Sequence, residues 1–305
     1  MHPERSRTHL RAYIYLLLTT LFWGGNAIAG KLAVGHISPM VLTTGRWALA
    51  FVIMLVIGWQ SVKADLPKLR KHWLLLAMLG TFGFTIFNVA LYTALTLTTA
   101  INVSIEQAGM PMLIFLLNFL FFRLKASGGQ MIGLCLTLLG VALTASHGVL
   151  SRLLSLDLNL GDAIMLASIF VYSGYTVALR FKPDIHWHSL MVALTGSAFI
   201  SSLPFLAIET AVGTAIFPDT QGWAILLYVL IFPSLLAQAL YIRGVELIGA
   251  NRAGLFINLV PIFGTILSIV LLGEEFHLYH AIALTLVFGG IALAEYSGRR
   301  HEATP

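Results

Sequence analysis

Charge is what this chain is short of. Asp, Glu, Lys and Arg make up 10% of its 305 residues, where a soluble domain carries about 25%. That supply cannot cover a water-facing surface, so a soluble globular fold is excluded and the bilayer is the expected solvent. Cysteine is almost missing too: Cys135 stands alone, inside an apolar stretch. A single thiol excludes an intramolecular disulfide and a thiolate metal centre. No loop is long enough for a soluble catalytic domain. Neither an Asp-rich diphosphate motif nor a Ser-His-Asp set is visible in the apolar segments. The expectation is therefore no enzyme, no cofactor and no metal.

What is present is hydrophobicity: 58% of the residues are hydrophobic, and the mean hydropathy is +0.88. The pI near 9.4 would suit nucleic acid. The positive charges, however, sit in short loops on one side, so no nucleic-acid partner is expected. Apolar runs over 11–33, 39–59, 73–95, 99–122, 128–147, 161–180, 188–208, 222–244, 250–272 and 279–296 each approach the roughly 20 residues that cross a bilayer. Breakers fall between them at Pro39, Pro67, Ser127-Gly128-Gly129, Pro183 and Pro218. The first run follows Arg5, Arg7 and Arg11 with no small-residue cleavage site, so it reads as a retained helix.

Placing the N-terminus in the cytoplasm puts Arg5, Arg7, Arg11, Lys63, Lys68, Arg70, Lys71, Arg123, Lys125, Arg180, Lys182, Arg243, Arg252, Arg299 and Arg300 inside. Only Lys31 and Arg152 fall outside. The positive-inside rule then places both termini in the cytoplasm, in a multi-pass inner-membrane protein.

The chain also repeats itself. Residues 73–146 overlay 223–296 without a gap, at an offset of 150. Trp73 meets Trp223, Asn88 meets Gln238, Ala100 meets Ala250, Pro111 meets Pro261 and Gly140 meets Gly290. A weaker match pairs Trp23 and Lys31 with Tyr172 and Arg180, each pair eight residues apart. Five helices per half is an odd number, so the second half enters the membrane with opposite polarity. The expected fold is all-α and integral to the membrane. Ten transmembrane helices form two inverted five-helix repeats, 1–152 and 153–305, around a central cavity.

At this point the chain resembles the drug/metabolite transporter superfamily, EamA type. Several motifs carry the resemblance: Trp23-Gly24-Gly25-Asn26-Ala27-Ile28-Ala29-Gly30-Lys31, Arg46, Gly109-Met110-Pro111, Leu259-Val260-Pro261-Ile262-Phe263, and Leu271-Leu272-Gly273-Glu274-Glu275-Phe276 with Gly289-Gly290 after it. Within that family the chain is most similar to YddG-like exporters of aromatic and other amino acids. The segment Phe122-Arg123-Leu124-Lys125 departs from the pattern, since many members carry a Gly-Glu pair there. The resemblance implies a secondary transporter that exports amino acids by alternating access. Drugs, quaternary ammonium compounds and nucleotide sugars are the alternative cargoes. A non-transporting membrane subunit and an intramembrane enzyme are remoter readings.

Polar residues inside apolar helices point to the pathway, because such groups face protein or water rather than lipid. Helix 3 carries Thr81, Thr85, Asn88 and Tyr92 on one face, and helix 8 carries Ser234, Gln238 and Tyr241. These stripes either line a cavity or hydrogen-bond helix to helix. Helix 9 carries Asn251, Asn258 and Thr265 around Pro261; that proline and Pro111 are expected to kink their helices and free a carbonyl, or simply to shape packing. Arg46 and Glu106 lie at similar depth and are expected to pair, as a structural ion pair or as a site for a substrate amino group or proton. Trp23, Tyr172 and Tyr175 either stack on substrate or pack. The expected substrate site comprises Trp23, Asn26, Thr85, Asn88, Tyr92, Met110, Tyr172, Tyr175, Gln238, Tyr241 and Asn258. Trp47, Trp59, Trp73, Trp187 and Trp223 are expected as interfacial anchors. The G-x4-G-K run ending at Lys31 lacks the strand and hydroxyl of a phosphate loop, so its glycines are read as contact points between helices. Glu274, His277 and His280 share a face but are read as surface groups rather than metal ligands. The expected partners are a small amphipathic substrate and the lipid bilayer, with the protein a monomer.

Overall fold

The computed structural model describes residues 3–123, 127–149, 159–248, 253 and 256–302. Leu124, Lys125, Arg152, Ala250, Asn251 and Arg252 lie outside them, as do the division at 152/153 and the side chains of Arg5, Arg7, Arg299 and Arg300. Among the described residues there is no strand. The segments are α1 (Pro3–Leu32), α2 (Pro39–Lys71), α3 (Trp73–Leu97), α4 (Ala100–Phe122), α5 (Gly128–Ala145), α6 (Leu160–Phe181), α7 (Trp187–Ala211), α8 (Thr220–Ile248), α9 (Val260–Leu272) and α10 (Leu278–Glu302). Eight of them are long and apolar enough to cross a membrane; α9 and Leu278–Ala294 of α10 are shorter apolar helices. The protein is an all-α integral membrane protein.

Helix starts follow local chemistry. Ser38 and Pro39 open α2, since a proline in the first turn gives up only an N–H that has no partner. Ser127 and Gln130 form a reciprocal capping box at α5. Asn159 Oδ1 accepts from Gly161 N at 2.7 Å to start α6, and Asp219 Oδ1 accepts from Gly222 N at 2.8 Å to start α8. Pro67 does not act as a breaker: α2 runs through it to Lys71. It stands in an exposed, strongly polar part of the helix, where water can satisfy the freed carbonyl.

The packing itself carries the repeat. α5 lies along α10 and α2 along α7. α1 packs on α8 as α6 packs on α3, and α1 meets α9 as α6 meets α4. Advancing every helix number by five returns the same set of pairs, which is a pseudo-two-fold relation between the halves. Local irregularities repeat as well. A widened π turn occupies Thr81–Ile86 in α3 and Leu230–Leu236 in α8. α4 breaks at Ala108 and Gly109 and restarts at Met110, and α9 starts at Val260. Pro111 and Pro261 therefore do not kink a continuous helix. Each sits in the first turn of a new one, where its missing N–H costs nothing.

Small residues set the closest approaches. A Cβ on Gly133 would lie 2.4 Å from the Gly290 carbonyl oxygen, and one on Gly140 would lie 2.7 Å from that of Ala283. Thus α5 and α10 touch backbone to backbone. Gly24 meets the backbone of α9 in the same way, at 2.9 Å from Gly264 N, and a Cβ on Gly30 would strike Leu95 and Tyr92. The glycine run of α1 thus serves close helix approach, as read from the sequence.

Candidate functional site

The centre of the site is an arginine without a carboxylate. Arg46 of α2 is 5% exposed. Its Nε donates to Ser234 Oγ at 2.6 Å. Its Nη1 donates to Tyr92 Oη at 2.6 Å, Asn88 Oδ1 at 2.8 Å and Asn26 Oδ1 at 3.4 Å. The guanidinium also lies 4.7 Å from the Trp47 ring centroid, a cation–π distance. Among the described residues no carboxylate comes within 4.0 Å of it, and the ion pairs present lie elsewhere. The pairing with Glu106 expected from depth does not form. Depth along a helix is readable from sequence, but Arg46 faces α1, α3 and α8 while Glu106 lies on α4.

The partners are themselves held. Asn88 Nδ2 donates to Phe84 O at 2.7 Å, Tyr92 Oη donates to Asn26 Oδ1 at 3.0 Å, and Ser234 Oγ donates to Val229 O at 2.6 Å. The last bond spans five residues, as the π turn of α8 allows. The widened turn thus presents Ser234 to Arg46.

A cavity of about 270 Å³ opens beside this cluster, lined by Gly30, Ser38, Tyr92, Thr93, Thr96 and Glu209 among others. Tyr92 belongs to both the cavity and the arginine cluster. Glu209 of α7 accepts from Ser38 Oγ at 2.6 Å and from Met40 N at 3.4 Å, tying α7 to the start of α2. Most of the lining comes from α1, α2, α3 and their loops rather than evenly from both halves.

The remaining expected residues distribute as follows. Trp23 Nε1 donates to Pro233 O at 3.1 Å, and its ring lies 5.5 Å from that of Tyr241. Trp47, Phe84, Tyr175, Tyr172 and Phe87 form an aromatic run with centroid spacings of 4.7, 6.0, 5.3 and 4.6 Å. Trp47 is 4% exposed and so is no interfacial anchor, whereas Trp59, Trp73, Trp187 and Trp223 are exposed. Thr85 joins helices: its Oγ1 donates to Ala198 O at 2.8 Å and lies 2.7 Å from Ser201 Oγ of α7. Met110, like Leu113, packs against the apolar core that includes Phe87 and Ile169. Gln238 and Asn258 are half-buried, outside both the arginine cluster and the cavity lining.

A second polar cluster was not assembled in the sequence reading, which took two of its members, Glu274 and His280, for surface groups; His280 is instead 2% exposed, because α4 packs over its ring. It lies where α3, α4, α6 and α10 meet. Asp162, fully buried, accepts from Thr98 Oγ1 and from Asn102 Nδ2 at 3.3 and 3.4 Å, and meets His147 Nε2 at 2.9 Å. His280 Nε2 lies 3.1 Å from Asn102 Oδ1. Lys31 Nζ donates to Leu95 O and Thr98 O at 3.0 and 2.6 Å. Glu274 accepts from Ala100 N and Ile101 N, both at 2.8 Å, so a carboxylate caps the N-terminal end of α4 where the helix dipole favours it. For Asp162 the signal in the sequence was an acid in the first turn of α6, which ordinary capping would also explain. Among the described residues no group of three or more His, Cys, Asp and Glu is arranged to hold a metal ion.

The comparisons with known proteins agree with this architecture. Residues 10–146 and 159–296 each match the EamA-like transporter family. An uncharacterized transporter, YetK, of Bacillus subtilis (strain 168) is 26% identical over 302 residues, covering 98% of this chain and 91% of the relative. A second from that organism, the uncharacterized transporter YyaM, is 26% identical over 290 residues, with 94% of each chain covered. An uncharacterized transporter of Archaeoglobus fulgidus is 27% identical over 302 residues, covering 97% and 99%. One crystal structure shares the fold with a TM-score of 0.64 at 20% identity, over 97% of this chain and 99% of the other. With one match in each half of the chain, the chain belongs to the EamA-like transporter family and is a multi-pass membrane transporter.

Proposed function

We propose that this protein is a secondary transporter of the inner membrane that exports amino acids, aromatic ones among them, in the manner of YddG-like exporters. Its two inverted halves, 1–152 and 153–305, alternate access to a site between the two sides. Both termini lie in the cytoplasm, and one chain suffices.

One observation carries the reading: the buried Arg46 guanidinium is held by four neutral side chains and, among the described residues, by no carboxylate. A planar guanidinium matches a carboxylate in bidentate fashion. The natural complement is an acidic group brought by the substrate through the cavity that shares Tyr92. The aromatic run from Trp47 to Phe87 supplies apolar surface for a side chain. Cationic cargo, such as a quaternary ammonium compound, would meet an uncompensated positive charge. A nucleotide sugar would call for several cations, and Arg46 stands alone in its cluster.

The test is flux in proteoliposomes across all twenty amino acids, with empty liposomes and the corresponding amino-acid amides as controls. The expected result is saturable flux of several amino acids, lost when the carboxylate is blocked as an amide. Absence of flux for every amino acid, or equal flux of acid and amide, would overturn it.

A further inference from the structure

Glu106 is the most isolated polar group among the described residues. Its side chain is fully buried, and neither carboxyl oxygen has a hydrogen-bond partner. A carboxylate can accept several bonds, and an ionised one left bare in low dielectric is far costlier than the neutral acid. A residue of this kind is kept only if its proton is used or its cost is met elsewhere.

The surroundings favour use. Glu106 is one helical turn below Asn102 on the same face of α4. Asn102 donates to the buried Asp162, and Asp162 meets His147, whose side chain is 32% exposed. A polar route therefore runs inward from the surface through His147, Asp162 and Asn102, and stops one turn short of Glu106. Directly below Glu106 the helix breaks at Ala108 and Gly109. The short segment Ala100–Gln107 is therefore a helix of its own, separate from Met110–Phe122.

We propose that Glu106 is a proton-binding site, separate from the arginine cluster, that couples transport to a proton gradient, with the Asp162–His147 pair as its doorway. The proposal rests on the transport reading for its coupling but not for the binding of the proton. In the arrangement seen here Glu106 is the neutral acid. In an arrangement where Ala100–Gln107 tilts and water reaches the carboxyl, the proton leaves and the carboxylate is solvated. Only such a difference between two states can link proton and substrate movement.

The other titratable groups around this half-helix are already engaged. From α1, Lys31 is spent on two carbonyls. Preceding α10, Glu274 is spent on the first turn of α4. On α10, His280 is spent on Asn102 and on His277 N, with His277 and Tyr279 beside it. On α2, Arg46 is held by its own cluster. α9 carries no titratable side chain over Val260–Leu272. Among these described groups Glu106 alone has no hydrogen-bond partner to lose on titration.

The test begins without substrate. Infrared spectra of the purified protein in lipid are recorded during a pH titration, for the wild type and for Glu106→Gln. The expected result is a protonated-carboxyl band in the wild type that is lost in Glu106→Gln. If that variant fails to fold, the wild type made with isotope-labelled glutamate carboxyls decides: the band must shift with labelled glutamate and stay put with labelled aspartate. A band that survives Glu106→Gln, or that follows the aspartate label, overturns the site. In proteoliposomes, Glu106→Gln should abolish uptake driven by a pH gradient while retaining exchange at equal pH. Gradient-driven uptake equal to wild type overturns the coupling. If the wild type moves no amino acid at all, the amino-acid reading fails, and the infrared result still decides the proton site.

Discussion

Replacing Arg46 by Met separates a binding arginine from a packing arginine. In the folded protein the loss is limited, because no buried carboxylate is left behind. Asn26 Oδ1 keeps the Tyr92 hydroxyl at 3.0 Å, and Ser234 keeps its bond to Val229 O at 2.6 Å. Asn88 Oδ1 alone is left without a partner, and one orphaned buried acceptor costs about 1–3 kcal/mol. This is well short of the ~3–5 kcal/mol expected when half of a buried ion pair is removed. Binding should suffer more. A hydrogen bond to a charged group is worth about 1.5–3 kcal/mol, and about 1.4 kcal/mol is tenfold in affinity. The half-saturation concentration for amino-acid flux should therefore rise by roughly 10- to 100-fold. Thermal unfolding in detergent and concentration-dependent flux in liposomes read the two effects separately. A variant that unfolds earlier but transports with unchanged half-saturation would refute the assignment of Arg46 to the substrate carboxylate.

Two further outcomes follow from the packing and the loops. Gly290→Ala should lower thermal stability by about 1–3 kcal/mol, since its Cβ would lie 2.5 Å from the Gly133 carbonyl oxygen, whereas the adjacent Gly289→Ala has open space and should be silent; equal stability of the two variants would contradict the backbone contact. In the loop preceding α8, the His36 ring and the Gly222 N–H hold the Asp219 carboxyl below the usual carboxylate range. Its contribution to stability is thus present above that range and is lost as the pH falls through the lowered value. Asp219→Asn should flatten the acid limb of a stability–pH curve, and superimposable curves for the two proteins would count against it.

Much of the fold was legible because the bilayer imposes length and the duplication imposes symmetry. The offset that pairs Pro111 with Pro261 also pairs the restarted helices, and Gly140 with Gly290 marks the α5–α10 contact. The site was legible in part. The polar stripe of helix 3 led to Asn88 and Tyr92, and both hold Arg46. The rest failed on rotation rather than depth. Sequence places Arg46 and Glu106 at comparable levels but does not say which neighbour each faces. Thr85 shares its stripe with Asn88, yet α7 lies against it and takes up its hydroxyl. The π turns in α3 and α8 add to the difficulty, because an extra residue per turn rotates everything beyond it relative to an ideal 3.6 period. Asp162 and His147 were missed because they stand 15 residues apart and no helical or strand spacing joins them.

The contact between α5 and α10 also bears on the order in which the protein is built. Gly133 and Gly290 press backbone on backbone, yet they sit about half the chain apart. During synthesis α5 is in the membrane long before α10 emerges. Until then its small-residue notch faces lipid, where it offers a landing place to any helix able to come as close. Closing that notch is a late event in assembly, and it joins the two halves only after both are in the membrane. A lesion in this seam would therefore show first as a failure of maturation, with fragments captured by quality control, and only afterwards as a transporter that works poorly.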